Sequence, residues 1–317
     1  MALSAADSIH RGLVNLRANW EVVCFQWLQV LIVAVLTVAG FLPPLAVLGA
    51  ADLQLLGTSG QDFSALVAQA VALTARGREA WVLLLASLVL ASAIWLMAML
   101  VYCYFQGGIL GVLMAGDRQA PTGRQRRWQW FRTFSVHDLR GWAGRYLWRY
   151  FWLFHLFMLV LLVWSLLLGV VILLATWGQA RWGVSAALGI GCGGAIPMIF
   201  SLFVGAFWFN LAQADLAREE SSVWVATRRA LAILGGRLGA VVILFLLGLT
   251  IAVCLGMFAG ALSTVMATAL RGSALVQLGG QLALSAVEWI ASSVVGVAFM
   301  SILIALVDGE MSGEVAS

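Results

Sequence analysis

The sequence has few charged residues and contains no lysine. Only 10% of its 317 residues are charged, all 18 basic residues are arginine, and 63% of the residues are hydrophobic. A soluble globular domain carries about 25% charged residues, so most of this chain is unsuited to water. The composition argues against a soluble enzyme, a nucleic-acid-binding protein and a disordered linker, and it predicts an integral membrane protein.

The residues that usually carry chemistry are also scarce. The chain has three histidines and four cysteines, and each cysteine lies alone in an apolar run without Cys-x-x-Cys or Cys/His spacing. A disulfide framework or a structural zinc site would need clustered cysteines. We therefore predict no disulfide, no metal ion and no cofactor.

Two enzyme-like patterns do not fit their context. Residues 189–194 match the dinucleotide pattern Gly-x-Gly-x-x-Gly, but they lie inside a charge-free apolar run with no strand before them. His155 with Glu219 and Glu220 is similar to elements of CAAX-type membrane metalloproteases, yet Trp224 stands where that motif has arginine. The two remaining histidines leave the metal-ligand set incomplete. We predict that the protein is not an enzyme.

Six apolar runs are long enough to cross a membrane as helices. A helix needs about 20 apolar residues to span the hydrocarbon core of about 30 Å. The runs are residues 22–51, 80–116, 150–180, 182–214, 238–270 and 272–307, and Glu288 in the last is the only charge among them. Continuous rather than alternating hydrophobicity excludes a lipid-exposed barrel. We predict an all-α, polytopic membrane protein with six transmembrane helices, arranged as three consecutive hairpins with amphipathic interfacial helices.

The distribution of arginine predicts the orientation. Fourteen arginines lie in the terminal and connecting segments on one side of the six spans, and four lie on the other side. The positive-inside rule places both termini in the cytoplasm of a bacterium, with the chain in the inner membrane. A cleaved signal peptide ending near residues 49–51 is the alternative for the first span, but its apolar stretch is too long for an h-region.

The chain shows signs of a threefold repeat within a single domain, residues 1–317. Each even-numbered span ends at an aspartate, and these residues, Asp117, Asp215 and Asp308, lie 98 and 93 residues apart. Hairpin units would cover about 8–117, 118–215 and 216–308. A duplicated unit and an ordinary array of hairpins explain the pattern equally well. Glycine pairs four residues apart, at 107/111, 189/193 and 256/260, predict close helix packing.

An arginine- and tryptophan-rich segment, residues 118–152, carries eight arginines against one acid, Asp138. Because both of its ends are tied to the membrane, an interfacial helix that contacts anionic lipid headgroups is a better interpretation than nucleic-acid binding. Plain positive-inside anchoring is the alternative. The candidate lipid-contacting residues are Arg124, Arg126, Arg127, Arg132, Arg140, Arg145, Arg149, Trp128, Trp130, Trp142 and Trp148.

Polar residues also occur inside the spans. Gln106, Asn210 and Gln213 lie near Asp215 in the halves of the even-numbered spans that precede the aspartates, and His155 lies in the third span. Polar side chains in lipid face the bundle interior or a water-filled cavity. They predict either interhelical hydrogen bonds or a small polar pocket open to the cytoplasm.

Residues 104–111, Tyr-Phe-Gln-Gly-Gly-Ile-Leu-Gly, and the segment from Asp215 to Arg237 resemble a six-helix bacterial membrane protein family. Its members include the membrane domain attached to some glycerophosphodiester phosphodiesterases. The resemblance implies the fold and the location and leaves the activity open, since the sequence shows no polar catalytic domain. We expect a non-enzymatic scaffold, or a subunit that binds lipid or partner proteins of a membrane complex. The alternative is a small transporter or channel with a cytoplasm-facing polar pocket.

Overall fold

A computed structural model describes residues 5–49, 78–120, 128–219, 221–236, 238–269 and 274–314, and every regular element within these ranges is a helix. The helices are α1 (Ala5–Ala18), α2 (Glu21–Gly49), α3 (Arg78–Gln119), α4 (Val136–Trp182), α5 (Val184–Glu219), α6 (Val223–Gly236), α7 (Leu238–Ala269) and α8 (Ala274–Glu314), with a short 3₁₀ helix at Trp128–Phe131 before α4.

The prediction of six spanning helices is confirmed. The candidate spans are Glu21–Val47, Trp81–Gln119, Val136–Trp182, Val184–Arg218, Val242–Leu262 and Leu284–Val307. Two amphipathic helices, α1 and α6, are separate elements that precede the first and fifth spans. The amphipathic segment before the third span is instead continuous with it in the 47-residue helix α4. At 1.5 Å per residue, α4 is about 70 Å long.

The chain divides into two compact units. One comprises Met1–Trp27 and Cys103–Ser317, and the other comprises Leu28–Tyr102. In the smaller unit, α2 and α3 pack as a hairpin in which Gly40 lies directly against the Trp95 ring. The Trp95 Nε1–H donates to the Thr37 carbonyl oxygen at 3.3 Å, and the Phe41 and Trp95 ring centroids are 4.9 Å apart.

The core of the larger unit lies around three helical segments, which we call the hub: residues 106–117 of α3, 207–217 of α5 and 301–307 of α8. Most hub residues are buried, including Leu113, Leu211 and Leu303. Farther from the hub, large apolar side chains such as Leu166 and Phe200 are exposed. Apolar side chains can face lipid without a cost in free energy, whereas polar groups in the hub need hydrogen-bond partners from the protein.

Three arginine-bearing helical segments pack on the hub, each against a different one of its helices. Helix α1 lies against α8, the first turns of α4 lie against α3, and α6 lies against α5. Contacting pairs are Gly12 with Ser301, Leu139 with Gly108, and Thr227 with Trp208. The same type of contact therefore recurs three times around the hub.

The third and fourth spans are joined by a single residue. Gly183, between α4 and α5, has φ 87°, and its N–H donates to the Gln179 carbonyl oxygen at 3.0 Å. This φ lies in the left-handed region, where glycine is favoured because it has no Cβ. Gly183 therefore allows two long helices to reverse direction without a loop.

Candidate functional site

A buried ion pair fixes the end of α3 to α1. The Arg11 Nε–H donates to Asp117 Oδ1 at 2.6 Å, and Arg11 Nη2 donates to the Asp117 carbonyl oxygen at 2.6 Å. Both side chains are almost fully buried. The Arg11 guanidinium also lies 5.6 Å from the centroid of the Phe131 ring. Helix α1 therefore holds the last turn of α3 and contacts the segment that leads into α4.

Asn19, just after α1, holds that segment by its backbone. Its Nδ2 donates to the Phe131 carbonyl oxygen at 2.6 Å, and its Oδ1 accepts the N–H groups of Thr133 and Phe134, each at 2.9 Å. The Thr133 hydroxyl donates to the Val112 carbonyl oxygen of α3 at 3.0 Å. Residues 131–134, which include Arg132, are thus pinned to both α1 and α3.

The first turns of α4 place an aromatic side chain and an arginine beside α3. Gly111 of α3 has no side chain, and Trp142 packs directly on it. Trp142 also stacks on Tyr146, with ring centroids 5.6 Å apart and planes 7° apart. The Arg145 guanidinium lies 5.5 Å from the centroid of the Trp142 ring. Gly111 therefore positions Trp142, and Trp142 in turn positions Arg145.

The end of α3, residues 132–133 and the first turns of α4 surround an open cleft of about 630 Å³, which we call the cationic cleft. It is lined by Ala115, Gln119, Arg132, Thr133, His137, Asp138, Gly141, Trp142 and Arg145. A smaller cavity of about 210 Å³ shares Ala115, Gln119 and Trp142 with the cleft and adds Arg118. Because the walls are the last turn of one span and the first turns of the next, the cleft lies at the end of two membrane spans.

Two arginines, Arg132 and Arg145, and one acid, Asp138, line the cationic cleft. Arg132 forms an ion pair with Glu21 at 2.7 Å, in which the side chains are 48% and 21% exposed. His137 Nδ1 lies 3.5 Å from Asp138 Oδ1, and both side chains face solvent. Guanidinium groups donate several hydrogen bonds in a plane that matches phosphate oxygens. The cleft therefore presents guanidinium donors beside the ring of Trp142.

The candidate lipid-contacting residues are only partly brought together. Arg132, Trp142 and Arg145 line the cationic cleft. The others in the described part of the chain lie outside its lining: Trp128 and Trp130 are exposed on the 3₁₀ helix, Arg140 and Trp148 are exposed on α4, and Arg149 lies 6.0 Å from the centroid of the Tyr146 ring. Arg124, Arg126 and Arg127 lie outside the described residues.

Sequence reasoning missed part of the cleft wall. Gln119, Thr133, His137 and Asp138 line it, and none of them was predicted as a contact residue. The position of His137 and Asp138 within the arginine-rich segment is the only available signal for these two. Gln119 and Thr133 lie in the same segment, residues 118–152, and which of its residues reach the cleft depends on how α3 meets α4.

The predicted polar pocket takes a different form. Gln106 and Gln213 are both buried, and Gln106 Nε2 donates to Gln213 Oε1 at 3.0 Å. The Tyr150 hydroxyl donates to the Gln213 carbonyl oxygen at 2.8 Å. The two glutamines therefore form an interhelical hydrogen bond in the hub, the alternative that the sequence left open beside a pocket.

The other three residues of that prediction have other partners than the two glutamines. His155 is exposed on α4, with Nδ1 2.8 Å from the Phe151 carbonyl oxygen. Asn210 donates to the Ala206 carbonyl oxygen at 2.9 Å and faces a separate apolar cavity. Asp215 is buried, 4.0 Å from Arg229 Nη1 of α6. The described contacts of these three residues are with other neighbours than the two glutamines, and the polar pocket stays a prediction.

Comparison with known proteins finds no matching family model, no matching curated protein and no matching solved structure.

Proposed function

We propose that this chain is a non-enzymatic protein of the bacterial inner membrane that binds anionic lipid headgroups at the cationic cleft. In this role it acts as a scaffold or as a lipid-binding subunit of a membrane complex. One observation carries the proposal: Arg132 and Arg145 line a cleft of about 630 Å³ together with Trp142 at the end of two spans. The resemblance to the six-helix bacterial family agrees with this location.

The orientation supports an anionic lipid as the ligand. The excess of arginine on the side of the termini favours a cytoplasmic position for both termini and for the cleft. The cytoplasmic leaflet carries anionic lipids, and each basic residue near its surface contributes about 1 kcal/mol to binding. The two lining arginines contribute about 2 kcal/mol and the lining carboxylate of Asp138 offsets about 1 kcal/mol of it, which leaves about a fivefold preference for an anionic over a zwitterionic headgroup.

Arg132 can accept a phosphate while it keeps its ion pair. The ion pair of Arg132 with Glu21 uses Nη2 of a guanidinium that has five N–H donors. Arg145 is exposed and lies over Trp142, so an edge of its guanidinium can face the cleft. A lipid phosphate bound between them would have the Trp142 ring beside its glycerol region.

The test compares two arginines of α4 that carry the same charge. Arg145 lines the cleft, and Arg140 is exposed outside its lining. The full-length protein in phosphatidylcholine nanodiscs would be titrated with phosphatidylglycerol and analysed by native mass spectrometry. We expect Arg145→Gln to lower phosphatidylglycerol affinity about fivefold and Arg140→Gln to lower it less than twofold. Equal losses would mean plain positive-inside anchoring, and no loss in either variant would also refute the proposed site.

A further inference from the structure

A second cavity, of about 460 Å³, lies among α5, α7 and α8. Its wall is mostly apolar, and it includes Asn210, Gly256, Phe299 and one charged group, the carboxylate of Glu288. We call it the Glu288 groove. From Phe299 to Glu288 it follows eleven residues of α8, which is about 16 Å of helix.

Glu288 has no polar partner among the described residues. Its carboxylate makes no hydrogen bond or ion pair with the residues that the structure describes. Ionisable side chains within membrane spans are costly and usually face a partner, a cavity or water. Glu288 lies in the span Leu284–Val307, close to its first residue and far from the hub. Its position suits a cationic group that is held at the membrane surface.

The room in the groove comes from glycine. A Cβ added to Gly256 of α7 or Gly296 of α8 would meet no atom within 4 Å, and both residues line the groove. A helix with its side chains is about 10 Å across, so 16 Å of helix would need about 1,200 Å³. The groove cannot enclose a whole helix. A single alkyl chain is narrow enough to occupy it.

We propose that the Glu288 groove binds phosphatidylethanolamine, with the lipid ammonium at the Glu288 carboxylate and one acyl chain extending toward Phe299. Charge complementarity selects the primary ammonium over phosphatidylcholine, whose three methyl groups remove the N–H donors that a carboxylate accepts. Exposed apolar residues such as Phe200 and Met257 on the flanking helices leave the groove surrounded by lipid-facing surface. The inference is independent of the cationic cleft, which has the opposite charge and lies on other helices.

The charge test uses the full-length protein in nanodiscs that contain equal amounts of phosphatidylethanolamine, phosphatidylcholine and phosphatidylglycerol. Lipids retained after gentle release would be counted by native mass spectrometry. We expect the unmodified protein to retain phosphatidylethanolamine about fivefold over phosphatidylcholine, as one interfacial ion pair allows. Glu288→Gln should abolish this preference, Glu288→Asp should keep most of it, and phosphatidylglycerol retention should stay unchanged in both.

The shape test fills the groove. Gly256→Phe places a ring in the groove. The matched control is Gly260→Phe, one turn along α7. A Cβ at Gly260 also meets no atom within 4 Å, but Gly260 lies outside the lining of the groove. Thermal unfolding in the same nanodiscs would check that both variants fold. We expect only Gly256→Phe to lose phosphatidylethanolamine, by at least fivefold.

Three results would overturn the inference. Equal retention of phosphatidylethanolamine and phosphatidylcholine by the unmodified protein would remove the headgroup selectivity. Equal losses in Gly256→Phe and Gly260→Phe would remove the groove as the binding place. If the protein bound dodecylamine, a primary amine with a single alkyl chain, but did not bind phosphatidylethanolamine, the ligand would be a free amphiphilic amine. The Arg145→Gln variant should change only phosphatidylglycerol retention, so failure of one site is distinguishable from failure of the other.

Discussion

The strongest stability prediction concerns the ion pair of Arg11 and Asp117. Their side chains are only 3% and 1% exposed, and the Arg11 guanidinium donates to both the carboxylate and the backbone carbonyl oxygen of Asp117. Replacing Arg11 by methionine removes these donors and leaves the carboxylate buried near an apolar ring, Phe131. The perturbation is therefore the loss of one partner of a buried pair.

The expected magnitude follows from burial. Removing one partner of a buried ion pair costs about 3–5 kcal/mol, because an uncompensated charge remains inside the protein. Replacing both partners by apolar residues of similar volume costs much less and can be neutral. We expect Arg11→Met to lower the free energy of unfolding by about 3 kcal/mol or more. The double variant Arg11→Met/Asp117→Leu should be more stable than Arg11→Met alone.

The matched control is the exposed pair of Arg132 and Glu21, whose N–O distance of 2.7 Å is nearly the same. Because water screens this pair, Arg132→Met should cost at most about 1 kcal/mol. Unfolding in mixed detergent micelles, followed by tryptophan fluorescence, would measure the free energy for all variants. If Arg11→Met costs no more than Arg132→Met, or if the double variant is the least stable, the reasoning from burial is refuted.

Two further predictions concern the hub and its packing. Gln106→Leu alone should destabilise the protein by about 1–3 kcal/mol because it removes the buried hydrogen bond to Gln213, whereas Gln106→Leu/Gln213→Leu should recover most of that loss in the same unfolding assay. Retained assembly with lost solute flux in proteoliposomes would instead support the transporter alternative. Gly108→Ala would bring its Cβ within 2.8 Å of the Leu139 carbonyl oxygen, while a Cβ at Gly141 meets nothing within 4 Å. We expect the melting temperature to fall for Gly108→Ala and to stay or rise for Gly141→Ala, and equal melting temperatures would contradict the close packing of α3 on α4.

The glycine pairs show how far a local pattern can be used. Gly107 and Gly111 were predicted to allow close packing, and they lie against Tyr146 and Trp142 of α4. Gly189 and Gly193 have the same spacing, but a Cβ at either would meet no neighbouring atom. Spacing shows that two glycines share a helix face, and it does not show whether another helix covers that face.

The amphipathic segment before the third span shows the same limit of local sequence patterns. The arginine- and tryptophan-rich segment predicted before the third span exists, but its residues from Val136 onward are the beginning of α4 rather than a separate interfacial helix. Its Leu139 and Trp142 face α3 and fill the space left by glycines. Periodicity predicted a helix there. It could not predict that the apolar face meets protein, because lipid and protein both satisfy an apolar face.

The sequence by itself determined the class, the six spans and the concentration of arginine beside the ends of particular spans. These are local properties, because a bilayer solvates each apolar helix separately and requires every backbone group to be satisfied within its own segment. Only the tertiary structure decided which polar residues meet, such as Gln106 with Gln213 across two helices. In the tertiary structure Glu288 lines a groove, whereas Arg11 is buried together with Asp117. Such pairings depend on how each helix is rotated about its axis and packed on its neighbours, and hydropathy along the chain carries no record of that.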